Sequence, residues 1–231
     1  MTTYFFKSPD KEQAFSLLEL LLVIGIVGVL AGLLVPTVLT ARKSAKDALC
    51  LNQLRQIGGF LQLYVIENRG YLPNSYHQSP KGGFYWFQLL ARYGGDDPKH
   101  HIEHPENVFR CPASQKRWRD GNQRFFGNYG WNISAGNQWN EADPSPQLIR
   151  YRRDDLEAGA APVIADTNEG PYDSTFAIHW FSTGTAAGYL DARHQNGSAV
   201  HFLFADGSVR PVPQTEINTD FLNIRKHLRT Q

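Results

Sequence analysis

Net charge is nearly absent from this chain: 23 Lys and Arg stand against 22 Asp and Glu in 231 residues, leaving +1. So even a balance excludes a global pull toward nucleic acid or acidic lipid, and any partner must be recognised locally. Catalytic signatures are missing too. There is no Gly-x-Ser-x-Gly elbow, no glycine loop with a phosphate-binding Lys and no His-Glu-x-x-His, so the chain reads as a non-enzyme. His179, His194 and His201 remain as unassigned candidate bases, with strand alternation placing His201 opposite Phe202, on an exposed side. Cysteine is scarce: Cys50 and Cys111 allow one bridge at most. Residues 1–14 lack a clear positive charge, because Asp10 and Glu12 cancel Lys7 and Lys11, which removes the n-region of a secretory signal. The length leaves room for one modest domain plus a membrane helix, and a second full core would be crowded.

What the chain does have is one long apolar run. From Leu17 to Val35 the only ionisable side chain is Glu19, and a helix over these positions rises roughly 28 Å, close to the hydrocarbon thickness of a bilayer. A carboxylate inside such a span costs about 2.5–3.5 kcal/mol at mid-bilayer and less near an edge, so Glu19 asks for a partner. Cleavage between Ala14 and Phe15 would create one, since the new α-amino group lies one helical turn before Glu19. Two other readings stand beside this one. Glu19 sits at the headgroup level of an uncleaved signal anchor, or a secretory peptide is cut after Val29-Leu30-Ala31, although the run exceeds the roughly 7–15 residues usual for an h-region.

A short polar leader, a small residue, then Phe15-Ser-Leu-Leu-Glu19-Leu-Leu and an apolar helix resembles the type IV prepilin and type II secretion pseudopilin signal. The resemblance implies that a membrane aspartyl peptidase cuts before the Phe and methylates its nitrogen, and that the Glu pairs with the N-terminal amine of a neighbouring subunit in a fibre. Carried over, Ala14 precedes the cut, where the family usually has Gly; Phe15 is the new N-terminus and Glu19 the assembly carboxylate. The implied partners are the prepilin peptidase/methyltransferase, further copies and other pilins, an inner-membrane assembly platform, and the lipid bilayer before assembly. Charge dissents on orientation: Arg42, Lys43, Lys46 and Arg55 follow the span, while Lys7 and Lys11 precede it. The positive-inside rule alone puts the C-terminal side in the cytoplasm. The resemblance implies a single pass through a bacterial inner membrane with the C-terminal head in the periplasm, and this is the expected orientation.

Pro36 is expected to kink the helix without ending it. Cys50, Leu54, Ile57, Leu61 and Tyr64 then recur at spacings of four and three, an amphipathic stripe running to about Asn68 with Gly70 as its stop. The whole helix would measure roughly 75–80 Å. Beyond Gly70, aromatics, Gly, Pro and Asn with short apolar runs predict an antiparallel sheet with long loops. Within it, 84–93 is expected as a short helix, Val163-Ile164-Ala165 as a buried strand, and Ser198 to Val212 as a hairpin with a two-residue Asp206-Gly207 turn. The expected class is α+β and pilin-like: leader 1–14, transmembrane and assembly helix 15–36, amphipathic continuation 37–69, globular α+β head 70–231.

A narrower resemblance rests on Cys50-Leu-Asn-Gln-Leu-Arg-Gln-Ile-Gly58, Gly70-Tyr-Leu-Pro73, Phe109-Arg-Cys-Pro112, Asn128-Tyr-Gly130, and His194 leading to Asp206-Gly207. Together these are similar to the H-x9-DG prepilin-type proteins, although eleven residues separate His194 from Asp206 here. The extra pair fits a longer Asn196-Gly197 turn. Asp206 is read first as a turn residue.

The cysteines admit two states, a Cys50–Cys111 bridge worth about 3–4 kcal/mol in an oxidising compartment or two buried thiols. For metals, His100, His101 and His104 with Cys111, Asp96 and Asp97 make a weak candidate cluster that matches no zinc-site spacing. Asp166, Asn168, Glu169, Asp173 and Asp191 offer oxygen to calcium, without the regular spacing of a calcium loop; no cofactor is expected otherwise. Arg150, Arg152, Arg153, Lys116, Arg117 and Arg119, near Trp118, Trp131, Trp139 and Tyr151, could grip single-stranded DNA or glycan, yet such charges are more often a solvated face. The favoured reading is a structural subunit of a type IV pilus or type II secretion pseudopilus, with no nucleic-acid partner. The alternative is a membrane-tethered binding module for glycan or DNA.

Overall fold

The computed structural model describes residues 16–74, 76–79, 82–95, 108–114, 129–132, 135, 151–167, 180–181, 190–222 and 224–229. The chain divides into two units, Met1–Lys43 and Ser44–Gln231.

Helix α1 spans Leu17–Glu67 and is long and apolar enough to cross a membrane. Within the first unit its side chains are exposed throughout, as expected of a surface that no protein partner covers in a single chain. The helix runs on through Pro36. Around the lost proline N–H, Thr37 Oγ1 donates to Leu34 O at 2.7 Å and Thr40 Oγ1 to Pro36 O at 3.0 Å, back-bonds that Thr makes readily in apolar helices.

In the second unit α1 becomes one-sided. Cys50, Leu54, Ile57, Gly58, Leu61, Tyr64 and Val65 are buried, the stripe expected from spacings of three and four. The helix stops after Glu67, where Gly70 at φ +87° donates its N–H to Val65 O at 2.8 Å. Such a left-handed residue lets the last carbonyls find donors.

Strands β1 (Tyr76–Ser79) and β2 (Gly82–Tyr85) form an antiparallel pair, followed by α2 (Trp86–Ala91). The helix expected from residue 84 therefore starts two residues late. The backbones of Phe84 and Tyr85 are taken up in pairing with His77 and Tyr76, and the last turn tightens to a 3₁₀ segment at Arg92–Gly94. Strands β3 (Tyr129–Asn132), β4 (Pro162–Asp166), β5 (Trp180–Phe181), β6 (Ala199–Phe204) and β7 (Val209–Pro213) make a sheet ordered β5-β3-β4-β6-β7. Four strands pair antiparallel as expected, while β5 lies parallel to β3.

Both faces of this sheet are covered. Leu54, Ile57 and Leu61 of α1 share one core with Trp131, Val163 and Leu203. Val200, Phe202, Phe204 and Val212 share another with Leu222 of α3 (Thr219–Leu222). Phe221 stands edge-on to Phe202 at 5.2 Å and to Phe204 at 6.3 Å, a favoured aromatic geometry. All six residues of β6 are buried as a result, so His201 is 1% exposed and not on a wet face. Alternation misplaced it because a strand covered on both sides has no solvent face.

The β6–β7 connection also differs from a two-residue turn. Phe204 N donates to Ser208 O and Gly207 N to Phe204 O, each at 2.9 Å, leaving Ala205, Asp206 and Gly207 as a three-residue loop. Gly207 takes φ +89°, and Asp206 is not left-handed. This is the type I turn with a left-handed glycine that ranks next to the two-residue hairpins in frequency.

Candidate functional site

Two places carry chemistry. The first is the start of α1. Ser16 N donates to Glu19 Oε2 at 3.0 Å while Leu18 N donates to Ser16 Oγ at 3.3 Å. A serine and a glutamate three positions on close a reciprocal cap over N–H groups that have no helical acceptor. Glu19 thus lies at the positive end of the helix macrodipole with its carboxylate turned back toward the preceding chain. Ala14 and Phe15 lie outside the described residues.

The second place is buried in the Ser44–Gln231 unit. His194, fully buried, precedes β6 and has an acid on each side. Its Nδ1 is 2.7 Å from Asp47 Oδ1 of α1, and its Nε2 is 3.0 Å from Asp166 Oδ2 of β4. Asp47 Oδ2 also accepts from Gln195 N at 3.2 Å, and Asp166 Oδ2 from His201 N at 2.9 Å. A carboxylate facing each ring nitrogen favours the imidazolium form of His194, which donates to both. Burial pulls its pKa down, but hydrogen bonds and charge from Asp166 and Asp47 outweigh that and raise it. The His201 ring stacks on it at 3.6 Å and 7°. Burial, against the attraction of Asp166 and reinforced by His194, lowers the pKa of His201 to about 4 and keeps it neutral.

Cys50 and Cys111 are joined in a disulfide, both sulfurs buried, and Cys111 Sγ lies 3.6 Å from His194 Nε2. Closing 61 residues of chain stabilises by about 4 kcal/mol on loop-entropy arguments. Tyr129 of β3 donates its hydroxyl to Cys50 O at 3.3 Å or to Gln53 Oε1 at 3.1 Å. Burial, and then the charge of Asp166, push its pKa well up, so it stays a donor.

The turn half of the motif fastens the same helix further along. A Cβ on Gly58 would meet Leu203 Cδ1 at 2.9 Å and Gly207 O at 3.3 Å, and one on Gly207 would meet Gln62 Nε2 at 3.1 Å. Gln62 bridges this contact, donating to Ala205 O at 3.2 Å and accepting from Arg153 Nη1 at 2.7 Å. Asp206 is an exposed turn residue whose Oδ1 accepts from Ser208 N and Oγ at 3.0 and 2.7 Å. His194 and Gly207 therefore hold α1 on either side of Cys50, through Asp47 and through Gly58 with Gln62. The loop Gln195–Asn196–Gly197, all at positive φ, absorbs the extra length between His194 and Asp206.

Other expected site residues fall differently. His100, His101 and His104 lie outside the described residues, as do Asn168, Glu169 and Asp173 of the calcium set and Lys116, Arg117, Arg119 and Arg150 of the basic knots. Asp166 belongs to the histidine network. Arg152 lies 6.0 Å over the Tyr71 ring, and Arg153 pairs with Asp154 at 2.9 Å and with Gln62. The sequence singles out neither Asp47 nor the part Asp166 plays here. Asp47 did carry a signal, since it stands three residues before Cys50, on the face that the buried stripe continues.

The family described as Prokaryotic N-terminal methylation motif matches residues 9–35. The Type IV wide pilus major component PilA4 of Thermus thermophilus is 40% identical over 62 residues, 27% of this chain and 47% of that protein. The Type II secretion system core protein G of Escherichia coli is 32% identical over 65 residues, 28% of this chain and 45% of that protein. The chain thus spans just under half the length of the curated relatives it matches, and no solved structure matches it significantly. It carries a prepilin-type methylation motif and is similar, over about a quarter of its length, to a pilus component and a secretion core protein.

Proposed function

We propose that this protein is a structural subunit, a pilin or pseudopilin, of a type IV pilus or type II secretion pseudopilus. The observation that carries the reading is the methylation motif over residues 9–35 leading into an exposed apolar helix whose first turn holds Glu19. A prepilin peptidase/methyltransferase hydrolyses the Ala14–Phe15 bond and methylates the new amine. Before assembly the helix anchors the subunit in the inner membrane with its head in the periplasm. In the fibre, Glu19 meets the N-terminal amine of a neighbouring pilin and the exposed leucines, isoleucines and valines of α1 pack together. An exposed all-round apolar stretch needs lipid or protein around it, and an acid within it needs a cation.

Mass spectrometry of the protein purified from its native membrane tests this reading. The expected N-terminus is N-methylated Phe15. A mature protein that begins at Met1 and never enters filaments overturns the subunit reading and leaves a tethered module. Glu19→Gln is expected to leave membrane insertion intact and to abolish incorporation into fibres, read by shearing and immunoblotting.

A further inference from the structure

The sulfurs of Cys50 and Cys111, Nε2 of His194 and the carboxylate of Asp166 converge from four separate segments: α1, the 108–114 loop, the approach to β6, and β4. All four residues are fully buried. Cys50, Cys111 and His194 present their ligand atoms within 4.8 Å of one another; Asp166, His194 and His201 form a second such trio, joined to the first through His194. In a tetrahedral zinc site, bonds of about 2.3 Å to sulfur and 2.0–2.1 Å to nitrogen or oxygen put S and N about 3.5 Å apart, and N and O about 3.3 Å apart. Cys111 Sγ to His194 Nε2 is 3.6 Å, and His194 Nε2 to Asp166 Oδ2 is 3.0 Å. Nε2 therefore faces a disulfide sulfur and a carboxylate oxygen at spacings close to those between ligands of one ion. Two further features fit a metal. Asp47 Oδ1 accepts a hydrogen bond from Nδ1–H of His194, the orienting contact that metal-ligating histidines usually have. Asp166 Oδ1 is buried with no hydrogen-bond partner among the described residues, leaving that oxygen uncommitted.

We propose that, once its disulfide is reduced, this chain binds one zinc ion through Cys50, Cys111, His194 and Asp166. The disulfide and the metal are then alternative closures of one corner. A dithiol reductant supplies two electrons and two protons, the Cys50–Cys111 bond breaks, and the reductant leaves as its own disulfide. Zn²⁺ then displaces the two thiol protons and the Nε2 proton of His194 to solvent, while Nδ1–H of His194 stays hydrogen-bonded to Asp47. The sulfurs separate to about 3.8 Å, the S···S edge of the same tetrahedron. His201 stays stacked on the ligand ring, outside the coordination shell.

The test uses full-length protein in detergent, reduced with a dithiol, desalted without air and titrated with Co²⁺, a spectroscopic stand-in for zinc. Expected are one equivalent bound, a thiolate-to-cobalt charge-transfer band and strong visible bands of a tetrahedral ion. Zn²⁺ should bleach them, and the unreduced protein should show none. Asp47→Asn, which removes the orienting partner and no ligand, should weaken binding about 10–100-fold. The unmutated reduced protein gives an independent readout, since one equivalent of Zn²⁺ should protect both thiols from iodoacetamide by mass spectrometry. Absence of the cobalt bands after reduction overturns the proposal, whether or not circular dichroism shows the fold retained. Bands unchanged in His194→Gln and Asp166→Asn also overturn it, because they place the ion on thiols alone.

Discussion

An imidazolium between two carboxylates in a dry interior cannot lose one partner without leaving charge exposed to a medium that solvates it poorly. With the disulfide intact, His194→Gln leaves Asp166, 0% exposed, as an uncompensated anion. Removing one member of a buried pair costs about 3–5 kcal/mol. Asp47 is different, because its side chain is 26% exposed and water replaces part of what His194 supplies. Asp47→Asn should cost about 1–2 kcal/mol. Urea unfolding followed by tryptophan fluorescence checks both, and the double variant should cost less than the sum because the two side chains touch. Equal losses in the two single variants would count against a graded clamp. Little of this was legible beforehand. His194 stood out through its motif, but nothing in a string of letters says that an aspartate 147 positions earlier lies against it. His201 was misread because alternation describes a sheet with one wet face.

The second half of α1 shows how far a pattern reaches and where it stops. Its buried stripe followed from apolar spacing alone, and its end from Gly70 as a stop. The pattern could not say which of two adjacent glycines is in contact, since that depends on where β6 approaches. The structure separates them. A Cβ on Gly58 would meet Leu203 and the Gly207 backbone, whereas one on Gly59 has nothing within 4 Å. Helix propensity favours alanine over glycine by about 1 kcal/mol at both. At Gly59 that gain should appear, raising stability by about 0.5–1 kcal/mol. At Gly58 the overpacking should prevail, with a net loss of about 1–3 kcal/mol. Thermal melts of Gly58→Ala and Gly59→Ala should therefore move in opposite directions. A shift of the same sign in both would mean that the β6–β7 turn is not seated against the helix as described.

At the scale of the molecule, the sequence divides by solvent. Residues 17–43 of α1 contribute no buried side chain, and every helix residue in the core is Cys50 or later. The apolar run revealed the first part directly, because nothing but lipid or other helices suits such a surface. The α+β character and the antiparallel pairs of the second part were legible too. The parallel docking of β5 was not, as two-residue strands leave no periodicity. If burial decides what the second part needs, a fragment of residues 44–231 keeps Asp47, the disulfide, both cores and the whole described sheet. It should be soluble without detergent, bind no vesicles, and unfold in one cooperative transition within a few degrees of the full chain in detergent. Reduction should then lower its midpoint, since the bridge contributes about 4 kcal/mol. Calorimetry and flotation measure these outcomes. A fragment that aggregates or melts without cooperativity would show that residues before Ser44 take part in folding the head, and that the exposed helix is more than an anchor and packing surface.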